Sequence, residues 1–210
     1  FLVLVESSVT EGRALANIAE AHRLAPGKPI KYHINTHHHS DHSAGLRAFV
    51  AEGSTIVTHE MNKKFYDDVV LKAPHTLEPD ALTKTPKPAQ FVYVKDKGKY
   101  VTTDGARTME IYHVDNGHAR NLLMSYLPKE KLLMITDIFN DFGMPRPNDP
   151  PAGLVSPYYA ALDARLKELK LDVQQLAPSH GRAVVPFSQF AEKVQGKVQP
   201  PAPRPITETR

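Results

Sequence analysis

The sequence predicts a mixed α/β fold in which two βα layers stack sheet to sheet, and three observations predict it. The chain opens with a βαβ pattern: an apolar run at Phe1–Val5, a helical period, then a second strand at 29–35. From Phe91 the pattern changes, and short strands follow one another as far as Thr136. Helical spacing returns from Tyr158 onward.

Taken in order, Phe1–Val5 is a Val-rich strand, and Ser8-Val9-Thr10-Glu11 leads into a helix with Leu15, Ile18 and Ala19 on one face. Pro26-Gly27 ends that helix. The strand at 29–35 is then expected to run parallel to the first, joined by a right-handed crossover. A helix beginning at a Ser43 cap runs to Glu52 with Leu46, Phe49 and Val50 inward, followed by a strand at Ser54–Thr58 and a helix at Met61–Leu71. Prolines at 74, 79, 86 and 88 make Ala73–Gln90 an irregular crossing segment. Phe91–Val94 and Tyr100–Thr102 flank a turn at Asp96-Lys97-Gly98 and read as a hairpin, with Asp104-Gly105 as a second turn signal. Strands at Thr108–Val114, Asn121–Leu127 and Lys131–Thr136 continue the series, the last two joined through Pro128-Lys129-Glu130. A proline-rich loop, Phe139–Pro157, is expected to overhang the site. A helix at Tyr158–Leu169, a strand at Val173–Leu176 and a helix at Phe187–Val194 complete one domain, 1–198, before a loose proline-rich tail at 199–210.

Composition narrows the function classes. The 210 residues suit one domain with a real core, and 41% hydrophobic with 23% charged residues is ordinary for a soluble globular protein. A net charge of +3, scattered along the chain, is too mild for a nucleic-acid partner. No apolar run approaches the ~18 residues of a membrane span. Cysteine is absent, which excludes disulfides, thiolate catalysis and Cys-ligated zinc, so any metal must be held by nitrogen and oxygen. The chain opens directly on a strand, so further N-terminal residues, with any targeting segment, are expected ahead of Phe1. A periplasmic or secreted setting is favoured over the cytoplasm. The expected partner is a small-molecule substrate, with the oligomeric state left open.

The chemistry centres on Thr36-His37-His38-His39-Ser40-Asp41-His42. Imidazoles at 37, 39 and 42 and a carboxylate at 41 are good ligands for divalent metals. The stretch leaves a strand and enters a helix, at a sheet end where α/β proteins build their sites. On an extended turn His37 and His39 point one way and His38 another, while Asp41 and His42 can face a second ion. Three more polar groups stand at strand exits: His118 behind Gly117, Asp137 after Leu132–Thr136, and His180 after the strand at 173–176. His22, His33, His38, His59, His75 and His113 fall where no ligand is missing and are assigned to packing or surface.

With these residues in hand, the chain resembles the metallo-β-lactamase superfamily of glyoxalase II-like metallohydrolases. Its HxHxDH signature is met by His37, His39, Asp41 and His42, and the later His, Asp and His of the family by His118, Asp137 and His180. The resemblance implies a four-layer αββα sandwich with the site at one edge. It implies one metal on His37, His39 and His118, a second on Asp41, His42 and His180, and Asp137 bridging them. Family domains begin with further strands ahead of the one Phe1 opens, so part of one sheet and one cleft wall are expected to be missing. The strand-end carboxylate usual after the first strand stands here as Glu6-Ser7.

The expected activity is hydrolysis by two metal ions, zinc by default with iron or manganese as alternatives, sharing a bridging hydroxide whose pKa lies near neutral. Asp41 would bind metal and orient this nucleophile. Family β-lactamases usually carry Cys or Ser at the bridging position, so Asp137 points to glyoxalase-, lactonase- or phosphodiesterase-like members. The chain lacks room for a glutathione-binding helical domain, has Asn140 where quorum-quenching lactonases carry Tyr, and lacks the inserted domains of RNA-processing branches. A small ester, lactone or lactam is favoured, with Phe139, Asn140, Phe142, Tyr158 and Arg182 as pocket-wall candidates by position. The alternatives are a phosphodiesterase, a mononuclear iron dioxygenase, or an inactive metal-binding domain.

Overall fold

The computed structural model describes residues 1–7, 9–140 and 153–198. Ser8, residues 141–152 and the tail 199–210 lie outside the described residues, and with them Phe142 and most of the proline-rich loop. The first half alternates strand and helix: β1 (Leu2–Val5), α1 (Glu11–Leu24), β2 (Ile30–Ile34), α2 (Ser40–Ser43), α3 (Leu46–Glu52), β3 (Thr55–His59), α4 (Lys63–Phe65), α5 (Ala81–Lys84) and β4 (Gln90–Val94). These strands form a parallel sheet in the order β1-β2-β3-β4. The second half contributes β5 (Lys99–Thr103), β6 (Thr108–Val114), β7 (Leu122–Leu127), β8 (Leu132–Ile135), β9 (Leu154–Val155), α6 (Pro157–Leu169), β10 (Gln175–Pro178), β11 (Val185–Pro186), α7 (Ser188–Lys193) and β12 (Lys197–Val198). Its main sheet has the order β11-β10-β8-β7-β6-β5, antiparallel except where β10 joins β8 in parallel, while β9 and β12 pair by themselves.

Period-two alternation sorts the strand residues between layers. Val3, Val5, Ile34, Val57 and Val94 from the first sheet meet Met109, Ile111, Leu123 and Met134 from the second, and this is the core between sheets. The opposite faces carry the helices: Leu2, Leu4 and Ile56 pack with α1 and α3, and Val114, Leu122, Met124 and Leu133 pack with α6 and α7. The result is the expected αββα order of layers.

Several local expectations change. The turn at Asp96-Lys97-Gly98 is tight, with Gly98 N–H donating to the Lys95 carbonyl at 2.8 Å, yet it joins no hairpin. β4 stays in the first sheet beside β3, and β5 enters the second beside β6. The physical reason lies in the faces: Phe91 packs toward the helices and Val94 between the sheets, so β4 is covered on both sides as parallel strands are. α1 buries Ala14 and Ile18, with Ala21 partly covered, while Leu15 points outward. The segment 60–71 is a 3-10 turn, Glu60–Asn62, then α4, then a π turn at Tyr66–Val70. Tyr66, at the start of this π turn, is buried in the core, where its hydroxyl donates to Asn35. β10 lies two residues later than expected, since Gln174 and Gln175 first bind the Lys131 carbonyl.

The helix after the histidines starts earlier than Ser43. α2 begins at Ser40, and the Ser43 hydroxyl donates back to the carbonyls of His38 (3.0 Å) and His39 (2.9 Å). It therefore braces the preceding loop instead of capping a helix. Gly45 sits between α2 and α3 because nothing larger fits: a Cβ there would stand 2.1 Å from the Ser7 carbonyl oxygen and 2.5 Å from Ala14 Cβ. Neither atom can rotate away. Gly45→Ala is expected to cost about 1–3 kcal/mol by overpacking, read as a lower urea midpoint at unchanged m-value. A midpoint equal to the parent would mean that α1 does not press on this junction.

Candidate metal centre

Every functional side chain predicted at a strand exit is placed at one end of the two sheets. β2 delivers residues 36–42, β6 delivers His118 through a short loop, β8 ends at Asp137 and β10 leads to His180. Gly117 serves close approach, since a Cβ there would lie 2.7 Å from Tyr158 Cε1. Asp137 takes a left-handed backbone, φ 55°, which is costly for a non-glycine residue and turns its carboxylate back over the strand ends.

Two groups of ligand atoms result. His37, His39, His118 and Asp137 form one, Asp41, His42, His180 and Asp137 the other, and within each the donor atoms lie within 4.8 Å of one another. Asp137 belongs to both. Its Oδ2 is 2.9 Å from His118 Nε2 and 3.1 Å from His37 Nε2 and His42 Nε2, while Oδ1 is 2.9 Å from His180 Nε2. Asp41 Oδ2 lies 3.1 Å from His42 Nε2 and 3.3 Å from His180 Nε2.

The electrostatics fit a cation. Burial opposes ionisation of Asp137, but hydrogen bonds from His118, His180, His37 and His42 outweigh it and hold the carboxyl far below the usual carboxylate range. Burial lowers His37 to about 4 despite Asp137, and lowers His39 as well. For His42 burial is opposed by Asp137 and Glu6, which push it up to about 10, and Asp137 raises His180 against burial. Yet His42 Nε2 and His180 Nε2 face each other at 3.1 Å, and His37 Nε2 and His118 Nε2 at 3.4 Å. Two imidazolium N–H groups cannot occupy those gaps together, whereas a divalent ion accepts both lone pairs. The donor set therefore suits metal, and these His and Asp clusters could hold it.

A supporting layer fixes the ligands, and sequence reasoning missed most of it. Glu6 Oε2 accepts from His42 Nδ1 at 2.5 Å, which leaves Nε2 with its lone pair toward the site. Glu6 reaches there on a left-handed backbone, φ 78°, at the end of β1. Asn35 Nδ2 donates to the His42 carbonyl at 2.8 Å, and Thr36 Oγ1 lies 3.2 Å from His37 Nδ1. Asn121 joins His38 to Asn62. The strand-end position of Glu6 was the one signal visible beforehand. Glu6→Gln keeps the shape but loses the charge, and should weaken metal affinity by roughly 10–100-fold. Competition with a graded chelator measures this, and an unchanged affinity would make Glu6 a packing residue only.

The pocket-wall candidates divide. The Tyr158 ring stands edge-on to His118, 6.2 Å between centroids, half-exposed at the mouth. Phe139 is not a wall residue: it is core, packed against Phe190 at 5.9 Å and Tyr159 at 6.4 Å, because the chain after Asp137 turns inward under α6 and α7. The buried amide of Asn140 has no partner among the described residues. Arg182 is exposed two residues beyond His180.

The other histidines are placed as follows. His22 binds Glu52 at 2.8 Å, and His33 stacks on Phe49 at 3.8 Å, where burial lowers its pKa to about 3. His75 lies 3.7 Å from Asp80. His59, Asp96 and His113 form a third group close enough to share an ion. Both nitrogens of His113 are already engaged, Nδ1 by the Lys97 N–H at 2.8 Å and Nε2 by the Arg120 carbonyl at 2.7 Å, so this group ties the sheet-switching turn to β6.

Among solved structures the fold has clear counterparts. A metallo-β-lactamase from Pontibacter korlensis superposes with a TM-score of 0.63 at 16% identity, covering 90% of this chain and 78% of that one. One from Hirschia baltica gives 0.63 at 17%, covering 91% and 78%, and FIM-1 from Pseudomonas aeruginosa, in its mono-zinc form, gives 0.62 at 19%, covering 91% and 76%. At such identities these likenesses concern the fold alone. No curated protein sequence matches. The sequence model of the metallo-β-lactamase superfamily, however, matches residues 2–180, from β1 through the last histidine of the site, and the chain belongs to that superfamily.

Proposed function

We propose that the protein is a dinuclear metal-dependent hydrolase, zinc by default, acting on a small ester, lactone or lactam. The observation that carries this reading is Asp137, whose two oxygens serve two ligand groups at once. His37, His39, His118 and Asp137 would hold one ion, and Asp41, His42, His180 and Asp137 the other. Bound there, two divalent cations would supply Lewis acidity and bring the pKa of water toward neutral.

The chain's own residues supply the rest. Asp41 is more open to the cleft than Asp137, with relative side-chain exposures of 41% and 10%, so it is the carboxylate that can accept a proton from incoming water. Glu6 keeps His42 in one tautomer, and Asn35 holds the loop that carries it. Tyr158 walls the side of His118. No cysteine exists to replace the shared carboxylate, which favours oxygen and nitrogen ligation throughout.

Metal content per chain, by inductively coupled plasma mass spectrometry on protein purified without a His tag, tests the reading together with a panel of esters, lactones and lactams. About two zinc ions and turnover abolished by Asp41→Ala are expected. One iron per chain would replace the reading with dioxygenase chemistry, and a folded protein that binds no metal would overturn it.

A further inference from the structure

We infer that the site opens onto a carboxylate-binding subsite built around Arg13, and hence that the substrate carries an acidic group; this rests on the hydrolase reading above. A cleft of about 460 Å³ adjoins the second ligand group. Asp41, His42 and His180 form one side, and the facing side is α1. Arg13, Ala16 and Asn17 stand at i, i+3 and i+4 on that helix, so they share a face and line the cleft together. The small side chain at Ala16 leaves space into which an extended Arg13 guanidinium can project.

Charge identifies the ligand. Arg23, the other arginine of α1, is held by Glu20 at 2.6 Å, whereas no carboxylate of the described residues pairs with Arg13. Glu6 and Asp41 border the same cleft, and Asp137 lies behind them. Two divalent cations would offset those three carboxylates and one metal-bound hydroxide, so the loaded cleft is near neutral and Arg13 adds the positive charge left over. A neutral substrate would leave the exposed guanidinium to water alone. A carboxylate matches its planar fork in two parallel hydrogen bonds. The carboxylate would anchor the remote end of the substrate at α1 while its scissile bond lies by Asp41. That fixes orientation by a contact outside the reacting atoms.

The test uses the zinc-loaded full chain with two aryl esters, phenyl acetate and the monophenyl ester of glutaric acid, and glutarate itself as a non-reacting probe in calorimetry. The parent is expected to prefer the acidic ester. Arg13→Ala should lower that preference by about 10-fold or more, mainly through KM, as loss of a charge-assisted hydrogen bond predicts, and Arg13→Lys should restore part of it. Glutarate affinity should fall in parallel. A preference that Arg13→Ala leaves unchanged, or glutarate binding indifferent to it, overturns the subsite while the hydrolase reading stands. Should neither ester turn over, the ester branch of the hydrolase reading fails, and glutarate binding that depends on Arg13 still supports the subsite.

Discussion

Asp137→Asn is expected to cut metal content from about two ions per chain to one or none and to reduce turnover well beyond the ~10–100-fold that loss of an outer-shell partner costs. The side chain keeps its shape but loses its charge, and four imidazole nitrogens lie within 3.1 Å of its oxygens. An amide offers one acceptor oxygen and turns an N–H pair toward nitrogens that also need a cation or a proton. Neither ligand group is then complete. Metal analysis and steady-state kinetics on the same sample separate the effects. Two ions with lost activity would make Asp137 a catalytic group instead of a bridge, and two ions with full activity would sink the shared-carboxylate reading.

Arg47→Ala carries the largest expected cost in stability, about 3–5 kcal/mol, because it strands a buried carboxylate. Arg47 Nη2 donates to Asp80 Oδ1 at 3.0 Å and to Thr83 Oγ1 at 3.1 Å, while Nη1 donates to the carbonyls of Leu71 (2.9 Å) and Val70 (3.1 Å). The guanidinium holds the Asp80 carboxyl well below its ordinary range, against the effect of burial. One side chain on α3 thus ties down the π turn and α5, the two irregular pieces between β3 and β4. Chemical denaturation reads the loss. The double variant Arg47→Met, Asp80→Leu should recover part of it, since no buried charge is stranded, while the Thr83 N–H that Asp80 caps at 2.8 Å and the carbonyls of Val70 and Leu71 lose their partners. A double variant as unstable as the single one would mean that the carbonyl contacts, not the ion pair, carry the energy.

The candidate metal centre was legible because its densest part is local. His37, His39, Asp41 and His42 lie within one turn, and His118, Asp137 and His180 each follow an apolar strand. What supports them was not. Glu6 meets His42 across 36 residues, and no local pattern says which strand-end carboxylate reaches which imidazole. Arg13 was hidden because α1 had been turned toward Leu15; burial of Ala14 and Ile18 rotates the helix and brings Arg13 to the cleft. The layers were legible from the change of period at Phe91. The partner of β4 was not, since Asp96-Lys97-Gly98 states that the chain turns but not in which sheet it continues.

That turn divides the molecule. Everything before Lys95 belongs to one sheet with its helices, and the main sheet of the second half is built entirely after it. Each ligand group draws on both sides, His37 and His39 with His118 and Asp137, and Asp41 and His42 with Asp137 and His180. A cation held there would accordingly cross-link two half-molecules, and its binding energy would add to their cohesion. Severed at Gly98, the two halves are expected to associate more tightly with metal than without it.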